Sequence, residues 1–233
     1  MQTNPAQRTQ LPGRATGQSR NLILGILAVV AIGVSGFAIY RTQFAAAKIN
    51  VVLHQAVGRV MAEETARLAN SNGTVVVIAM ELGAVPELAA QLREFERTLE
   101  GFPRLKLKKS YKLETDDQPK YSFGSGLSGR RFVRIVNKNP DADTFVSFVG
   151  APVLSADDRS QLKAPPKLLA EARSTDKLRK SFAQKLLNVA IVSRFQFPTP
   201  VKGAPRGSQE WFDQRFQIVR ADTAGELPGG KEE

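Results

Sequence analysis

The chain has 233 residues, no cysteine and a single histidine, and its formal net charge at pH 7 is +11. The lack of cysteine excludes disulfide frameworks, thiolate catalysis and cysteine-ligated metal sites, and one histidine, His54, excludes multi-histidine metal sites. A positive balance of this size is typical of nucleic-acid binding or of a surface beside an anionic membrane.

A polar leader opens the chain, and its only charged side chains are Arg8, Arg14 and Arg20. Proline and glycine interrupt it, so we predict that residues 1–20 are disordered. Residues 22–40 then carry no charge over 19 positions, and a helix of that length measures about 28 Å, which matches the hydrocarbon core of a bilayer. We therefore predict a transmembrane helix over residues 21–40.

A cleaved signal peptide is the alternative interpretation of this segment, since Ala45-Ala46-Ala47 offers a small-residue cleavage site. The apolar core of a signal peptide usually spans about 7–15 residues, however, and residues 22–40 exceed that. We predict a retained single-pass signal anchor that contacts the lipid bilayer through residues 22–40. We expect the N-terminus to be cytoplasmic and the main domain to be extracytoplasmic.

Apolar residues at helical spacing follow the segment and predict an amphipathic helix from 46 to 69, within a juxtamembrane region spanning 41–73. A continuous β-branched sequence over 74–80 then predicts a strand buried on both faces. Pro86 begins the next helix, which ends before Gly101 and Pro103.

Residues 104–113 alternate almost strictly between apolar and basic side chains, which predicts a strand with one solvent-exposed face. The apolar positions are Leu105, Leu107, Tyr111 and Leu113, and the basic ones are Arg104, Lys106, Lys108 and Lys112. Lysines of this kind protect an edge strand from pairing with other chains. No aromatic side chain is interleaved on the basic face, so we do not expect a nucleic-acid partner.

Helices and strands continue to alternate after a polar loop. We predict helices over 127–137, 176–187 and 208–213, strands over 144–149, 166–171, 189–192 and 216–219, and a disordered tail over 221–233. Such alternation predicts an α/β domain over 74–220, with a mostly parallel sheet of five or six strands between two layers of helices. The natural strand order is the flavodoxin-like 2-1-3-4-5, which places the lysine-rich strand at an edge.

Ligands of parallel sheets bind beyond the carboxyl ends of the strands. The residues at those ends are the candidate ligand-binding residues Glu81, Gly83, Gly150, Glu171, Arg173 and Arg194. A pair of carboxylates such as Glu81 and Glu171 could serve acid–base catalysis, but nothing in their spacing requires it. We predict a binding protein rather than an enzyme, with no catalytic residue, metal or cofactor assigned.

Two other motifs have ordinary structural interpretations. Residues 124–129 fit the dinucleotide-binding pattern G-x-G-x-x-G, but they follow a polar loop and no acidic residue closes a neighbouring strand about 20 positions later. We interpret them as a loop that caps a helix. Trp211 and Phe212 could contact a partner protein or pack against the sheet edge.

The segments VVVIAMELG, PELAAQLREFERTLEG, LKLKKSYKL, NPDADTFVSFVGAP and NVAIVSRF, which span residues 74–195, resemble one Rossmann-like lobe of a periplasmic substrate-binding protein. The resemblance implies a domain that binds a solute by pairing with a second lobe, which a second chain could supply as a homodimer. The alternative hypotheses are an enzyme of the same fold that uses carboxylates, and a structural role in a cell-envelope assembly with a protein partner.

Overall fold

The computed structural model describes residues 16–43, 49–81, 85–113, 127–172, 175, 178–194, 205 and 207–227. The chain divides into two compact units between Lys48 and Ile49. The first contains helix α1 (Thr16–Gln43), whose described side chains over 24–38 are all exposed. Within the described part of the chain, no helix combines the length and the apolar character needed to cross a membrane. Of the predicted leader, 16–20 are helical, and 1–15 lie outside the described residues.

The second unit alternates helices and strands in the predicted order. Its helices are α2 (Val51–Leu68), α3 (Pro86–Leu99), α4 (Gly129–Lys138), α5 (Ala156–Ser160), α6 (Leu178–Ala183) and α7 (Ser208–Arg215). Its strands are β1 (Gly73–Met80), β2 (Leu105–Leu113), β3 (Thr144–Ser147), β4 (Leu168–Ala172), β5 (Val189–Ser193) and β6 (Phe216–Arg220).

The six strands form one sheet in the order β2-β1-β3-β4-β5-β6. The first four pairings are parallel and the β5–β6 pairing is antiparallel. The predicted α/β class and the 2-1-3-4-5 order are therefore confirmed. The lysine-rich strand β2 lies at one end of the sheet, as predicted.

Two apolar clusters cover the two faces of the sheet, because β1 residues alternate between them. Val76 and Ile78 join a cluster with α4, α6 and a short 3-10 helix at Ala224–Glu226. Val75 and Val77 join the cluster with α2, α3 and Phe212 of α7. A parallel sheet with helices on both faces is the result.

The juxtamembrane helix was expected to lie outside the α/β domain, and this expectation is wrong. Helix α2 begins after Asn50, whose side chain accepts a hydrogen bond from the backbone of Leu53. Val57 and Met61 are fully buried in the cluster shared with α3 and β1. The stripe that suggested an amphipathic surface helix therefore forms one layer of the domain.

Strand β2 corrects a second prediction, that its apolar residues share one face. The register with β1 shifts where Val75 pairs with Leu107 and Val76 pairs with Lys109, so Lys108 forms a bulge. Because an inserted residue exchanges the two faces of a strand, Leu105 joins the α2–α3 cluster and Leu113 joins the α4 cluster.

Several boundaries differ from the sequence prediction for local reasons. Helix α6 stops at Ala183 rather than 187, because Lys185 adopts a positive φ of 56° and the Leu186 N–H bonds the Ser181 carbonyl. Helix α5 was not predicted, and a capping box between Ser155 and Asp158 stabilises its first turn. Residues 221–227 are ordered rather than a loose tail, since Leu227 is buried.

Candidate ligand-binding site

The carboxyl end of β1 leads into Glu81, whose side chain is exposed. Its backbone N–H donates a hydrogen bond to the Leu113 carbonyl at 3.0 Å, which extends the pairing with β2 by one residue. Gly83 lies outside the described residues. Glu81 therefore lies at the carboxyl ends of β1 and β2.

Gly150 lies in the turn that ends β3. The buried Ser147 hydroxyl donates a hydrogen bond to the Gly150 carbonyl at 2.6 Å, and Gly150 adopts a φ of 102°, a conformation that favours glycine. The turn explains why β3 ends at Ser147 and not at the predicted residue 149.

Glu171 belongs to β4 and is half-buried on the face covered by α2 and α3. Its carboxylate accepts a hydrogen bond from the Gln91 side-chain amide of α3 at 3.2 Å. Gln91 is itself buried, with 3% of its surface exposed. The contact links the carboxyl end of β4 to the middle of α3. Arg173 lies outside the described residues.

Arg194 follows β5 and contacts α7. Its backbone N–H donates to the Arg215 carbonyl at 2.9 Å, and its guanidinium Nε donates to the Asp213 carbonyl. Glu171 is thus in contact with α3, and Arg194 is in contact with α7.

The two aromatic candidates on α7 have different surroundings. Phe212 is 2% exposed and stacks on Phe216 with ring centroids 5.9 Å apart, so it belongs to the core. Trp211 is half-exposed and is the member of the pair that a partner could reach.

A groove that the sequence did not predict lies between α3 and the β1–β2 edge of the sheet. It has a volume of about 290 Å³, near the lower limit for small-molecule sites. The apolar part of its lining is Val77, Ala79, Met80, Ala89 and Leu92. The polar part is Arg93, Glu96, Ser110 and Lys112.

The groove exists because short or polar side chains occupy positions where large apolar ones would fill the space between the sheet and α3. Val77 pairs with Ser110, and Ala79 pairs with Lys112, so β2 offers no bulky apolar side chain to α3 at these two positions. Ala89 opens the same space from the helix side. The bulge at Lys108 reverses which side chains of β2 face α3, so Ser110 and Lys112 point toward α3. No pattern in the sequence indicates this reversal.

Metal binding has no support among the residues that the structure describes, where no three His, Asp or Glu side chains come together in a way that could hold an ion. The groove and the carboxyl edge instead offer hydrogen-bond donors, carboxylates and an apolar wall.

No protein-family model and no curated protein matches the sequence. Solved structures resemble it in fold. An ABC transporter solute-binding protein from Burkholderia graminis, in complex with D-arabinose, has a TM-score of 0.51 at 19% identity over 72% of this chain and 60% of its own. AraP, an arabinose-binding protein from Geobacillus stearothermophilus, reaches 0.53 at 14% identity over 76% of this chain and 63% of its own.

A carbohydrate transporter solute-binding protein from Agrobacterium radiobacter, also in complex with D-arabinose, has a TM-score of 0.51 at 13% identity. It is matched over 75% of this chain and 63% of its own. This chain thus spans less than two-thirds of each of the three proteins. The similarity confirms the fold suggested by the sequence resemblance, which is the Rossmann-like α/β fold of solute-binding proteins.

Proposed function

We propose that the α/β unit is a binding domain, without catalytic activity, that takes a small solute in the groove between α3 and the β1–β2 edge. The observation that carries the proposal is the groove itself, which combines an apolar wall with four polar side chains. Solute-binding proteins of similar fold support a binding role, since three of them are described as sugar-binding or were solved with D-arabinose.

The lining indicates the class of solute. Arg93 and Lys112 donate hydrogen bonds, Glu96 accepts them, and Ser110 does both, while Val77 and Leu92 supply an apolar surface. A pentose or hexose presents hydroxyl groups around an apolar ring face, so a sugar of this size matches both parts of the lining. We therefore take pentoses and hexoses as the first probes.

Sugar binding by the unmodified chain, and by a variant whose groove is filled by a larger side chain, tests this proposal. We expect D-arabinose or another sugar of a pentose and hexose panel to raise the thermal unfolding midpoint of the full chain, because a ligand at about 100 times its Kd stabilises a protein by about 2.7 kcal/mol. Ala89→Leu places a larger side chain in the groove and should abolish the rise. Ala90→Leu makes the same change at a neighbouring position outside the lining and should preserve it.

Differential scanning fluorimetry of the three proteins gives the result directly. If no sugar raises the midpoint of the unmodified chain, or if Ala89→Leu responds as strongly as Ala90→Leu, the groove is not the sugar site.

The residues at the carboxyl ends of the strands suggest a contact with a second copy of the chain. We propose that Glu81, Gly150 and Arg194 face a second lobe, supplied by another copy of the chain, with Trp211 at the margin of the contact. The exposure of Glu81 and the partial exposure of Trp211 support this surface. Cross-linking of the full chain in membranes should then yield a dimer, and Trp211→Ala should weaken it.

We also propose that the uncharged segment 22–40 anchors the protein in a membrane, with the α/β unit on the extracytoplasmic side. This proposal rests on the sequence, because the described side chains of α1 cover only 24–38, fewer than the roughly 20 residues of a membrane-spanning helix. Residues 22–40 carry no charge, and exposed apolar side chains such as Leu24, Leu27 and Phe37 lie along the helix. A soluble helix with this much exposed apolar surface would be costly, because burying such side chains in an apolar medium gains about 1.5–3 kcal/mol each.

An arginine in the middle of α1 tests the anchor. We expect Val30→Arg to shift the protein from the carbonate-resistant membrane fraction toward the supernatant, since a central arginine costs about 2.5–3.5 kcal/mol on insertion scales. Gln10→Arg adds the same charge outside the apolar segment and should leave fractionation unchanged. Equal fractionation of the two variants would contradict the anchor.

A further inference from the structure

The positive charge of the protein is concentrated on two consecutive elements. Residues 104–113 and 129–138 carry nine Lys and Arg residues and no Asp or Glu. The 193 residues that follow the apolar segment, 41–233, carry 30 basic and 22 acidic side chains. Strand β2 with its preceding residue, and helix α4, therefore account for the entire positive excess of this region.

Strand β2 contributes a row of exposed lysines at the end of the sheet. Its members are Lys106, Lys108 and Lys109, which are exposed; Lys112 is also exposed but faces α3 and is not part of the row. The bulge at Lys108 turns Lys109 to the α4 side, where its Nζ lies 4.7 Å from the centroid of the Tyr111 ring. The row spans about 10 Å, because a strand rises about 3.3 Å per residue.

Helix α4 contributes a second line of basic side chains, on its exposed side. Arg130, Arg134 and Lys138 are exposed and recur every four residues, so they form one stripe about 12 Å long. The opposite side of the helix buries Phe132 and Val136 against the sheet. The stripe therefore faces solvent.

Two contacts join the helix stripe to the strand row. The Asn139 side-chain amide at the end of α4 donates a hydrogen bond to the Tyr111 hydroxyl at 2.9 Å. Lys108 donates to the Asp141 carboxylate just beyond α4, and this hydrogen bond lowers the pKa of that carboxyl. The end of α4, with Lys138, thus lies beside the middle of β2. The lysines of β2 and the basic stripe of α4 therefore form one basic face.

We propose that this basic face, formed by β2 and α4, binds the surface of an anionic lipid bilayer. Clustered Lys and Arg side chains attract anionic headgroups, each contributing about a fivefold gain in affinity near the surface. Nucleic acid fits less well, because the two elements have only Tyr111 and Phe132 as aromatic residues. The first is half-covered by Lys109 and Asn139 and the second is buried.

Lysine labelling of the full chain tests the proposal. The chain is reconstituted into vesicles of phosphatidylcholine alone or of phosphatidylcholine with phosphatidylglycerol, and an impermeant amine-reactive reagent is added. We expect labelling of Lys106 and Lys109 to slow about fivefold or more only with the anionic lipid. The protection should disappear in about 1 M salt, where the Debye length falls to about 3 Å. Lys180 of α6 and Lys185, which follows α6, are exposed and serve as internal controls; their labelling should not change.

A matched pair of triple variants separates the basic face from total charge. Arg130→Gln/Arg134→Gln/Lys138→Gln should reduce the protection of Lys106 and Lys109. The control is Lys163→Gln/Lys180→Gln/Lys185→Gln, which removes the same charge from three other exposed lysines and should keep the protection. Equal labelling rates with both lipids, equal effects of the two triple variants, or protection by a single-stranded oligonucleotide but not by the anionic vesicles would overturn the proposal.

The outcome does not depend on the anchor or on the groove. If α1 does not insert, co-sedimentation of the same chain with the two kinds of vesicle measures lipid binding, and pelleting with anionic vesicles alone is the expected result. Equal pelleting, or none, would overturn the proposal. The triple variants leave Arg93 and Lys112 of the groove unchanged, so sugar binding is assayed independently.

Discussion

Replacing Gly58 with valine should lower the free energy of unfolding by about 3 kcal/mol, the upper part of the range for overpacked cores. A Cβ atom at this position would lie 2.1 Å from the Gln91 carbonyl oxygen and 2.9 Å from its carbonyl carbon. Both are backbone atoms of α3, so no side-chain rotation relieves the overlap and the two helices must separate. Urea unfolding followed by circular dichroism measures the change.

The control for this prediction is Gly225→Ala, because Gly225 is exposed and a Cβ there meets nothing within 4 Å. We expect that variant to stay within about 0.5 kcal/mol of the unmodified chain, as is usual for surface substitutions. A loss below about 1 kcal/mol for Gly58→Val would contradict the close approach of α2 to α3. The same separation would displace Gln91 from Glu171.

The second large effect is expected at the ion pair between α2 and β6. Glu64 is 3% exposed, and its two carboxylate oxygens each accept a hydrogen bond from the Arg220 Nη2 at 2.7 Å. Arg220→Met removes this partner and leaves the carboxylate buried, which should cost about 3 kcal/mol. Glu64→Leu/Arg220→Met removes both charges and should recover most of the loss, so a double-mutant cycle isolates the pair.

Arg67→Met is the matched control, because Arg67 approaches the same carboxylate at 3.3 Å with a side chain that is 68% exposed. An exposed partner contributes about 0–1 kcal/mol, so this variant should be close to neutral. Similar losses for Arg67→Met and Arg220→Met, measured by thermal unfolding, would show that the burial of the pair does not determine its contribution.

The strand order could be predicted from the sequence because periodicity and chain connectivity carry it. The apolar β-branched strand over 74–80 indicated a strand buried on both faces, and the alternating lysines over 104–113 indicated an edge. Right-handed crossovers then leave few arrangements. These signals lie within short segments of the sequence, and the observed strand order agrees with them.

The features that were missed depend on contacts between distant parts of the chain. The Lys108 bulge changes which side of β2 faces α3, and it depends on pairing with β1 rather than on any property of residues 104–113 alone. The role of α2 as a layer of the domain depends on the same kind of packing, since an amphipathic stripe does not specify what covers it. The groove follows from the bulge, which turns Ser110 and Lys112 toward α3, and it could not be predicted from the sequence of β2 alone.

Hydrogen–deuterium exchange of the full chain, with and without the sugar that raises its unfolding midpoint, tests the central claim most directly. Binding in the groove predicts slower exchange in the carboxyl half of β1, around Val77 and Ala79, and in the first half of α3, around Ala89 and Leu92. Slower exchange confined to the ends of β4 and β5, around Glu171 and Arg194, with β1 and α3 unchanged, would contradict the groove as the binding site.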